Sequence, residues 1–323
     1  MVPDASLVER FRTDLDALIP AGTRFGVAVS GGPDSLALLL LAASARSGEF
    51  EAATVDHGLR PESRAEAEMV ADLCEKLDVP HATLAIEWDL PPASGIQEQA
   101  REVRYGALAA WMRDRGLDAL LTAHHRDDQA ETLMMRLNRG AGIRGLAGMR
   151  RSSNVPGDPH RALLRPLLGW RRAELERICA VSGIEPVSDP SNDDERFERV
   201  RIRRILAAAA WLDPEALARS AENLALGDEA LEWATDQIWA QFVDANEDGI
   251  IYRNPAAPGE ITRRIVARVI ADLGSEGSPG ELRGRELDRL IAELEAGRTA
   301  TLRGVRCTGG PNWRFGRAAP RSR

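Results

Sequence analysis

Val27-Ala-Val-Ser-Gly-Gly-Pro-Asp-Ser35 decides the fold. It closes an apolar run, Arg24 to Ser30, that reads as a strand, and Leu36 to Ala45 reads as a helix beginning straight after the loop. Gly31 and Gly32 leave backbone N–H groups free to approach an anion, and the helix N-terminus adds partial positive charge. Ser30 and Ser35 supply hydroxyl donors, and Asp34 is placed to hold a magnesium ion that bridges phosphates. The loop lacks the Gly-Lys-Ser/Thr of a Walker motif and the spacing of a dinucleotide fingerprint. What it predicts is a pyrophosphate site built from Ser30, Gly31, Gly32, Pro33, Asp34 and Ser35.

Outward from this loop the chain alternates. Phe50 to Val55 reads as a strand, Glu62 to Leu77 as a helix, His81 to Ile86 as a strand and Gly95 to Arg115 as a long helix. A short apolar strand, Ala119 to Ala123, and a helix, Asp127 to Asn138, follow. The rhythm predicts an α/β class with a doubly wound, mostly parallel sheet, whose ligands bind beyond the carboxyl ends of the strands. Gly140 to Pro166 is rich in Gly, Arg and Pro and reads as loop, with Arg139 to Met149 flexible. A helix follows with Leu175, Ile178, Cys179 and Ser182 on one face, so Cys179 reads as a core residue. The boundary is placed at Leu206 to Trp211, giving residues 1–210 and a smaller, mainly helical domain over 211–323. The latter reads as helices over Pro214 to Phe242, with a break at Gly227, Ile261 to Leu273 and Arg285 to Leu294. Two short strand-like runs, Thr299 to Cys307 and Asn312 to Phe315, close it.

Composition narrows the chemistry. The chain has 323 residues, enough for about two domains, and is 44% hydrophobic and 28% charged, as expected of a globular protein. No apolar run approaches the roughly 18 residues of a membrane span, and the charged N-terminus does not read as a secretion signal. A cytoplasmic protein is expected. Cys74, Cys179 and Cys307 lie far apart, with neither disulfide nor zinc spacing. Of 42 basic residues only Lys76 is a lysine, in a helix where it reads as a solvated charge. That removes Walker lysines, pyridoxal Schiff bases and lysyl-adenylate ligases as mechanisms.

The net charge is −8, yet Arg136 to Arg172 carries +8 and Arg298 to Arg323 carries +7, leaving −23 for the rest. An acidic body with two basic windows is a footprint for a polyanion held at one place, or simply a basic loop and a basic tail.

Three further segments lie at strand ends or on the long helix: Val55-Asp-His-Gly-Leu-Arg60, Gln99-Ala-Arg-Glu-Val-Arg-Tyr105 and Ala123-His-His-Arg-Asp-Asp-Gln-Ala-Glu-Thr132. Arg139-Gly-Ala-Gly-Ile-Arg-Gly-Leu-Ala-Gly-Met149 and Asp189-Pro-Ser-Asn192 follow. The Ser-Gly-Gly-x-Asp-Ser loop resembles the PP-loop of the ATP pyrophosphatase superfamily, which cleaves ATP between its α and β phosphates and adenylates an oxygen. With the other segments, over about residues 20 to 205, the chain closely resembles the tRNA(Ile)-lysidine synthetase family. That resemblance implies ATP and Mg2+, a tRNA(Ile) with a CAU anticodon and free L-lysine. It also implies ligation of lysine to C2 of the first anticodon cytidine through an adenylated tRNA, which changes decoding from AUG to AUA. It makes residues 1–210 the catalytic domain and 211–323 a tRNA-binding one. A homodimer is carried as an expectation.

Roles follow residue by residue. Arg101 and Arg104 share a helix face and can clamp phosphates, or form a solvated basic face. His57 and Arg60 border the nucleotide or lie in a plain loop. Asp34, Asp127, Asp128 and Glu131 are the candidate catalytic carboxylates, the last three crowding one helix start where they can recognise a lysine ammonium, and Asp34 and Asp127 are the candidate magnesium ligands. Asp127 or Asp128 alone would also serve as an N-cap. Arg139, Arg144, Arg150, Arg151, Arg171 and Arg172 are assigned to the tRNA backbone. Trp313 and Phe315 read as a small hydrophobic core rather than a stacking platform. Two other readings stand beside the ligase: a PP-loop tRNA thiolase or other PP-loop synthetase, and a nucleotide-binding module without turnover. The isolated cysteines count against the thiolase.

Overall fold

The computed structural model describes residues 2–58, 62–86, 96–187, 194–246, 249–253, 256–274, 282 and 284–318. They form two compact units, Met1–Ala225 and Leu226–Arg323.

In the first unit α1 (Ala5–Asp16) precedes β1 (Phe25–Ala28), α2 (Pro33–Ala45), β2 (Phe50–Asp56), α3 (Glu62–Lys76) and β3 (His81–Ala85). Then come α4 (Ile96–Arg115), β4 (Ala119–Leu121), α5 (Arg126–Asn138), α6 (Ile143–Leu146), β5 (Ser152–Val155) and β6 (Asp158–Leu164). A 3-10 turn (Pro166–Gly169), α7 (Arg172–Val181), α8 (Glu198–Ala208) and α9 (Pro214–Phe242) follow. The sheet order is β3-β2-β1-β4-β6-β5, parallel throughout except for β5, which runs antiparallel to β6 at the edge.

α2 is apolar on every side because it is covered on every side: Leu36 to Ala42 are all at most 1% exposed. They share one core with Phe11 and Leu15 of α1, Phe25 and Val27 of β1, and Leu175, Ile178 and Cys179 of α7. Cys179 is thus a core residue, and Lys76 is exposed at the end of α3.

The stretch from Gly140 to Pro166, read as loop, is largely built structure. Pro156-Gly157, with Gly157 at φ +81°, turns β5 into β6, and β6 enters the sheet beside β4. The alternation rule misses this hairpin because Ser152-Ser-Asn-Val155 is polar and mostly exposed. Nor is Arg139 to Met149 loose. The Arg136 guanidinium donates to the carbonyls of Gly145 (2.7 Å) and Gly148 (3.1 Å), while the Gln129 amide clasps both backbone groups of Met149.

The second unit overturns the expectation of a mainly helical domain. Beside the end of α9, α10 (Gly259–Leu273) and α11 (Gly284–Glu295), it holds a five-stranded antiparallel sheet ordered β7-β8-β11-β10-β9. Its strands are β7 (Val243–Asn246), β8 (Gly249–Tyr252), β9 (Thr299–Leu302), β10 (Val305–Thr308) and β11 (Trp313–Arg317). Thr299 to Cys307, read as one run, splits at Arg303-Gly304, both at positive φ as a two-residue hairpin of type I′ requires. Gly227 does not break α9. Trp313 and Phe315 are buried against Tyr252, Ile265, Val269 and Leu294, so the core reading of the terminal hairpin holds.

Candidate active site

The loop after β1 closes on itself through Ser35. Its hydroxyl donates to the Gly32 carbonyl (3.0 Å) and accepts the Ser30 N–H (3.1 Å). Gly31, at φ +82°, carries the left-handed bend, and its carbonyl accepts the Val187 N–H at 3.0 Å. Gly32 is the N-cap of α2 and Pro33 its first residue, so the first N–H groups of α2 face the strand end.

A cleft of about 510 Å3 opens there, a size suited to a nucleotide. It brings together Ser30, Gly32, Asp34, Ser35, His57, Arg104 and Asp128 among the sequence-predicted residues. Gly31, Pro33, Arg101, Asp127 and Glu131 are outside its lining. On α4, the guanidinium carbons of Arg101 and Arg104 lie 4.9 and 5.2 Å from the ring centroid of buried Tyr105. Burial and the Arg104 charge hold the His57 imidazole below its usual value. Arg60 and Asp189 to Asn192 lie outside the described residues.

His125 is the centre of charge. It is the N-cap of α5 and 1% exposed, with Nε2 3.5 Å from Asp34 Oδ2 and 3.6 Å from Asp128 Oδ2, and Nδ1 3.6 Å from Asp127 Oδ2. Burial pulls its pKa down, but the side chains of Asp127 and Asp34, aided by Asp128, push it up to about 10. An imidazolium donates from both nitrogens. The Asp128 amide contact to Nδ1, 3.4 Å and at the limit of a hydrogen bond, is therefore the weaker claim on that atom.

The adjacent His124 behaves oppositely. Burial, joined by the charges of Arg165 and Arg199, lowers it to about 3, and its Nδ1 sits 3.0 Å from the Thr122 hydroxyl. Two neighbouring histidines thus hold opposite charge states at pH 7.

The carboxylates divide by partner. Asp127 Oδ2 accepts the Arg172 N–H at 2.9 Å and Oδ1 lies 3.6 Å from Arg171 Nε. Burial raises the Asp127 carboxyl, but His125 and these groups hold it at about 2. Burial likewise raises Asp128, and the charges of His125 and Arg199 outweigh it, leaving the group below its usual range. Glu131, 3% exposed, meets Arg203 Nε at 2.7 Å and lies 3.0 Å from Arg199 Nε, whose N–H is not aimed at the oxygen. Asp34 differs from all of these: Oδ1 is buried and without a hydrogen-bond partner. An orphaned carboxylate oxygen in a cleft wall suits a cation. No cluster of three or more His, Cys, Asp or Glu that would cage a metal occurs among the described residues. One protein carboxylate fits an ion held largely by substrate phosphates and water.

Comparison with known proteins decides the family. The PP-loop domain family matches residues 7–210. A tRNA(Ile)-lysidine synthase from Novosphingobium aromaticivorans is 51% identical over 96% of this chain and 93% of its own length. Another from Zymomonas mobilis is 40% identical over 94% and 91%. The chain belongs to the tRNA(Ile)-lysidine synthase family. Among solved structures, the U34-tRNA thiolase NcsA from Methanococcus maripaludis with its 4Fe-4S cluster superposes with a TM-score of 0.57 at 16% identity. It covers 68% of this chain and 78% of that one, a likeness of fold alone.

Within this lysidine synthase fold, most of the arginines assigned to tRNA already have protein partners. Arg139 pairs with Glu198, Arg151 with Asp14 and Arg172 with Glu176, while Arg150 donates to the Ala225 carbonyl. Arg144 is exposed on α6. Residues that sequence reasoning left without a role now line the cleft: His124, Arg199, Ser63, Glu66 and Tyr105. The sequence signal for His125 is a histidine two positions before Asp127, at the N-cap of α5, where a short polar side chain is usual. No described helix is long and apolar enough to cross a membrane.

Proposed function

We propose that the chain joins lysine to C2 of the first anticodon cytidine of a tRNA(Ile) bearing CAU, at the expense of ATP. The observation that carries this reading is the closed Ser30–Ser35 loop opening on the cleft, in a chain 51% identical to a tRNA(Ile)-lysidine synthase. Cytidine O2 attacks the α-phosphate, pyrophosphate leaves, and the lysine ε-amine then displaces AMP from C2. The loop N–H groups and the α2 N-terminus bind the departing pyrophosphate, where its charge develops. Asp34 would hold Mg2+, which supplies neutralisation of the phosphate charge. Arg104 and His57, which line the cleft, hold the nucleotide, with Arg101 beside Arg104 at the same Tyr105 ring.

Asp128 is the cleft carboxylate suited to a lysine ammonium. Holding that amine neutral at pH 7 costs about 4.6 kcal/mol. A carboxylate kept below its usual range is a weak base, so it accepts the proton late, as the C–N bond forms. Asp127 acts by holding His125 and the start of α7. Glu131 acts by holding Arg199 and Arg203 of α8. Residues 211–323 are assigned to tRNA selection, with Arg306 and Arg314 exposed on neighbouring strands whose alternate residues, Val305, Cys307, Trp313 and Phe315, are buried.

The thiolase alternative requires reactive thiols. Burial pushes Cys74 and Cys307 up to about 12 and Cys179 to about 11, which leaves all three inert. The test is to incubate the protein with tRNA transcript and ATP labelled at the α-phosphate, omitting lysine. Label should stay on the tRNA until added lysine releases it as AMP. Label that never joins tRNA would contradict the adenylated intermediate.

A further inference from the structure

His125 has two faces with separable tasks. Its Nδ1 side faces its own helix, 3.6 Å from Asp127 Oδ2 and 3.4 Å from the Asp128 nitrogen, and the His125 N–H donates to Asp128 Oδ2 at 3.0 Å. That is helix capping, which Ser, Thr, Asn or Asp perform better than histidine. The Nε2 side lies between two carboxylates, 3.6 Å from Asp128 Oδ2 of its own helix and 3.5 Å from Asp34 Oδ2, on the second residue of α2. No short capping side chain spans that gap.

The two oxygens of Asp34 are correspondingly unlike. Oδ2 faces His125, and Oδ1 is buried in the cleft wall with no protein partner. An ion-pair contact at one oxygen favours the side-chain rotamer that leaves the other oxygen in the cleft wall. Groups that grip a metal-binding side chain from behind typically contribute about 10- to 100-fold in metal affinity.

We propose that His125 is a positioning residue, whose Nε2 grips Asp34 Oδ2 and thereby presents Asp34 Oδ1 to the Mg2+ that accompanies ATP. This rests on the reading of Asp34 as the magnesium-holding carboxylate. It joins the loop after β1 to the Ala123–Thr132 segment through a single side chain, so two sequence motifs act as one site.

Capping and gripping are separated by isosteres. The amide oxygen of asparagine, set near Nδ1 of the histidine it replaces, can accept the Asp128 N–H, and the amide nitrogen of glutamine falls near Nε2 and can donate. H125N therefore keeps a good cap and loses the grip, whereas H125Q keeps the grip and loses the cap. ATP affinity is measured by calorimetry with Mg2+ and again in EDTA, for the wild type, D34N, H125N, H125Q and H125N/D34N. Melting temperatures are measured in parallel.

H125N loses a buried cation and is expected to melt lower than wild type, and to bind ATP about tenfold or more weakly in Mg2+, with affinity in EDTA unchanged within twofold. H125Q is expected to melt lower and to bind ATP in Mg2+ within threefold of wild type. H125N should add nothing to D34N, because a residue acting through Asp34 has no effect once Asp34 is gone. H125S, a second capping residue without reach, should follow H125N.

Wild-type Mg2+ dependence in H125N and H125S, equal losses in H125N and H125Q, or a loss that persists on top of D34N would each overturn the proposal. Unchanged Mg2+ dependence in D34N would overturn the Asp34 reading as well. A D34N loss without an H125N loss overturns the His125 proposal alone.

Discussion

Glu131 Oε1 accepts a hydrogen bond from Arg203 Nε at 2.7 Å, joining a nearly fully buried carboxylate of α5 to a guanidinium of α8. The pair places Arg199, one turn earlier on α8, in the wall of the cleft. Removing one member of a buried pair leaves the other charge uncompensated, at a cost of about 3–5 kcal/mol. Arg203 is 31% exposed, so the lower end applies. Glu131→Ala is expected to lower unfolding stability in urea by about 3 kcal/mol. A change below about 0.5 kcal/mol, the level of an ordinary surface substitution, would contradict it.

Gly31 offers a test of the loop's shape. A Cβ there meets Val187 Cγ2 at 3.3 Å and Met69 Cε at 3.4 Å, in addition to the strain of φ +82°. Gly22 has the same φ with open space around it. Gly31→Ala and Gly22→Ala should both lose about 1–2 kcal/mol from backbone strain. Only Gly31→Ala should weaken ATP binding, by tenfold or more in a calorimetric titration. Equal ATP affinity in the two variants would show that the loop tolerates distortion.

His124 makes the protein acid-sensitive. Its folded pKa of about 3 lies below the unfolded value near 6.5, so between these values the unfolded chain binds the extra proton. Stability contributed by the neutral ring is present above pH 6.5 and is lost as pH falls toward 3. Between pH 7 and pH 5 the loss is about 2 kcal/mol. His124→Gln cannot take up that proton, so its urea midpoint should fall less over this range. Parallel declines in the two proteins would contradict the buried neutral state.

The arginines of the second unit carry the tRNA expectation. Arg306→Glu and Arg314→Glu should weaken tRNA binding and reduce the slope of affinity against salt by about one each. Both should leave ATP affinity unchanged, since the cleft residues lie within the first unit. A filter-binding salt titration reads the slope. Wild-type slopes would remove these residues from the tRNA contact.

How far the residues announce this arrangement varies with the physics. The β1–loop–α2 segment is legible because two glycines, a proline at the first helical position and an all-apolar helix agree with one another. The β5–β6 hairpin is not, because Ser152 to Val155 and Arg161 give an edge strand the composition of a loop. The C-terminal sheet hides for a related reason. Its strands are four or five residues long, and β9 and β10 merge into one run unless Arg303-Gly304 is recognised as a turn. In the site, carboxylate spacing shows that Asp127, Asp128 and Glu131 share a helix start. It does not show that Glu131 turns toward Arg199 and Arg203 of α8, or that His125 gathers carboxylates from two helices. Those depend on elements far apart in sequence and brought together by the sheet.

The most direct test of the central claim is transfer of labelled lysine to an isoleucine tRNA transcript with a CAU anticodon, with and without ATP, beside a methionine tRNA with the same anticodon. The account predicts incorporation that requires ATP and is confined to the isoleucine transcript. ATP-dependent AMP release without lysine incorporation would contradict it and assign the cleft to a different nucleophile.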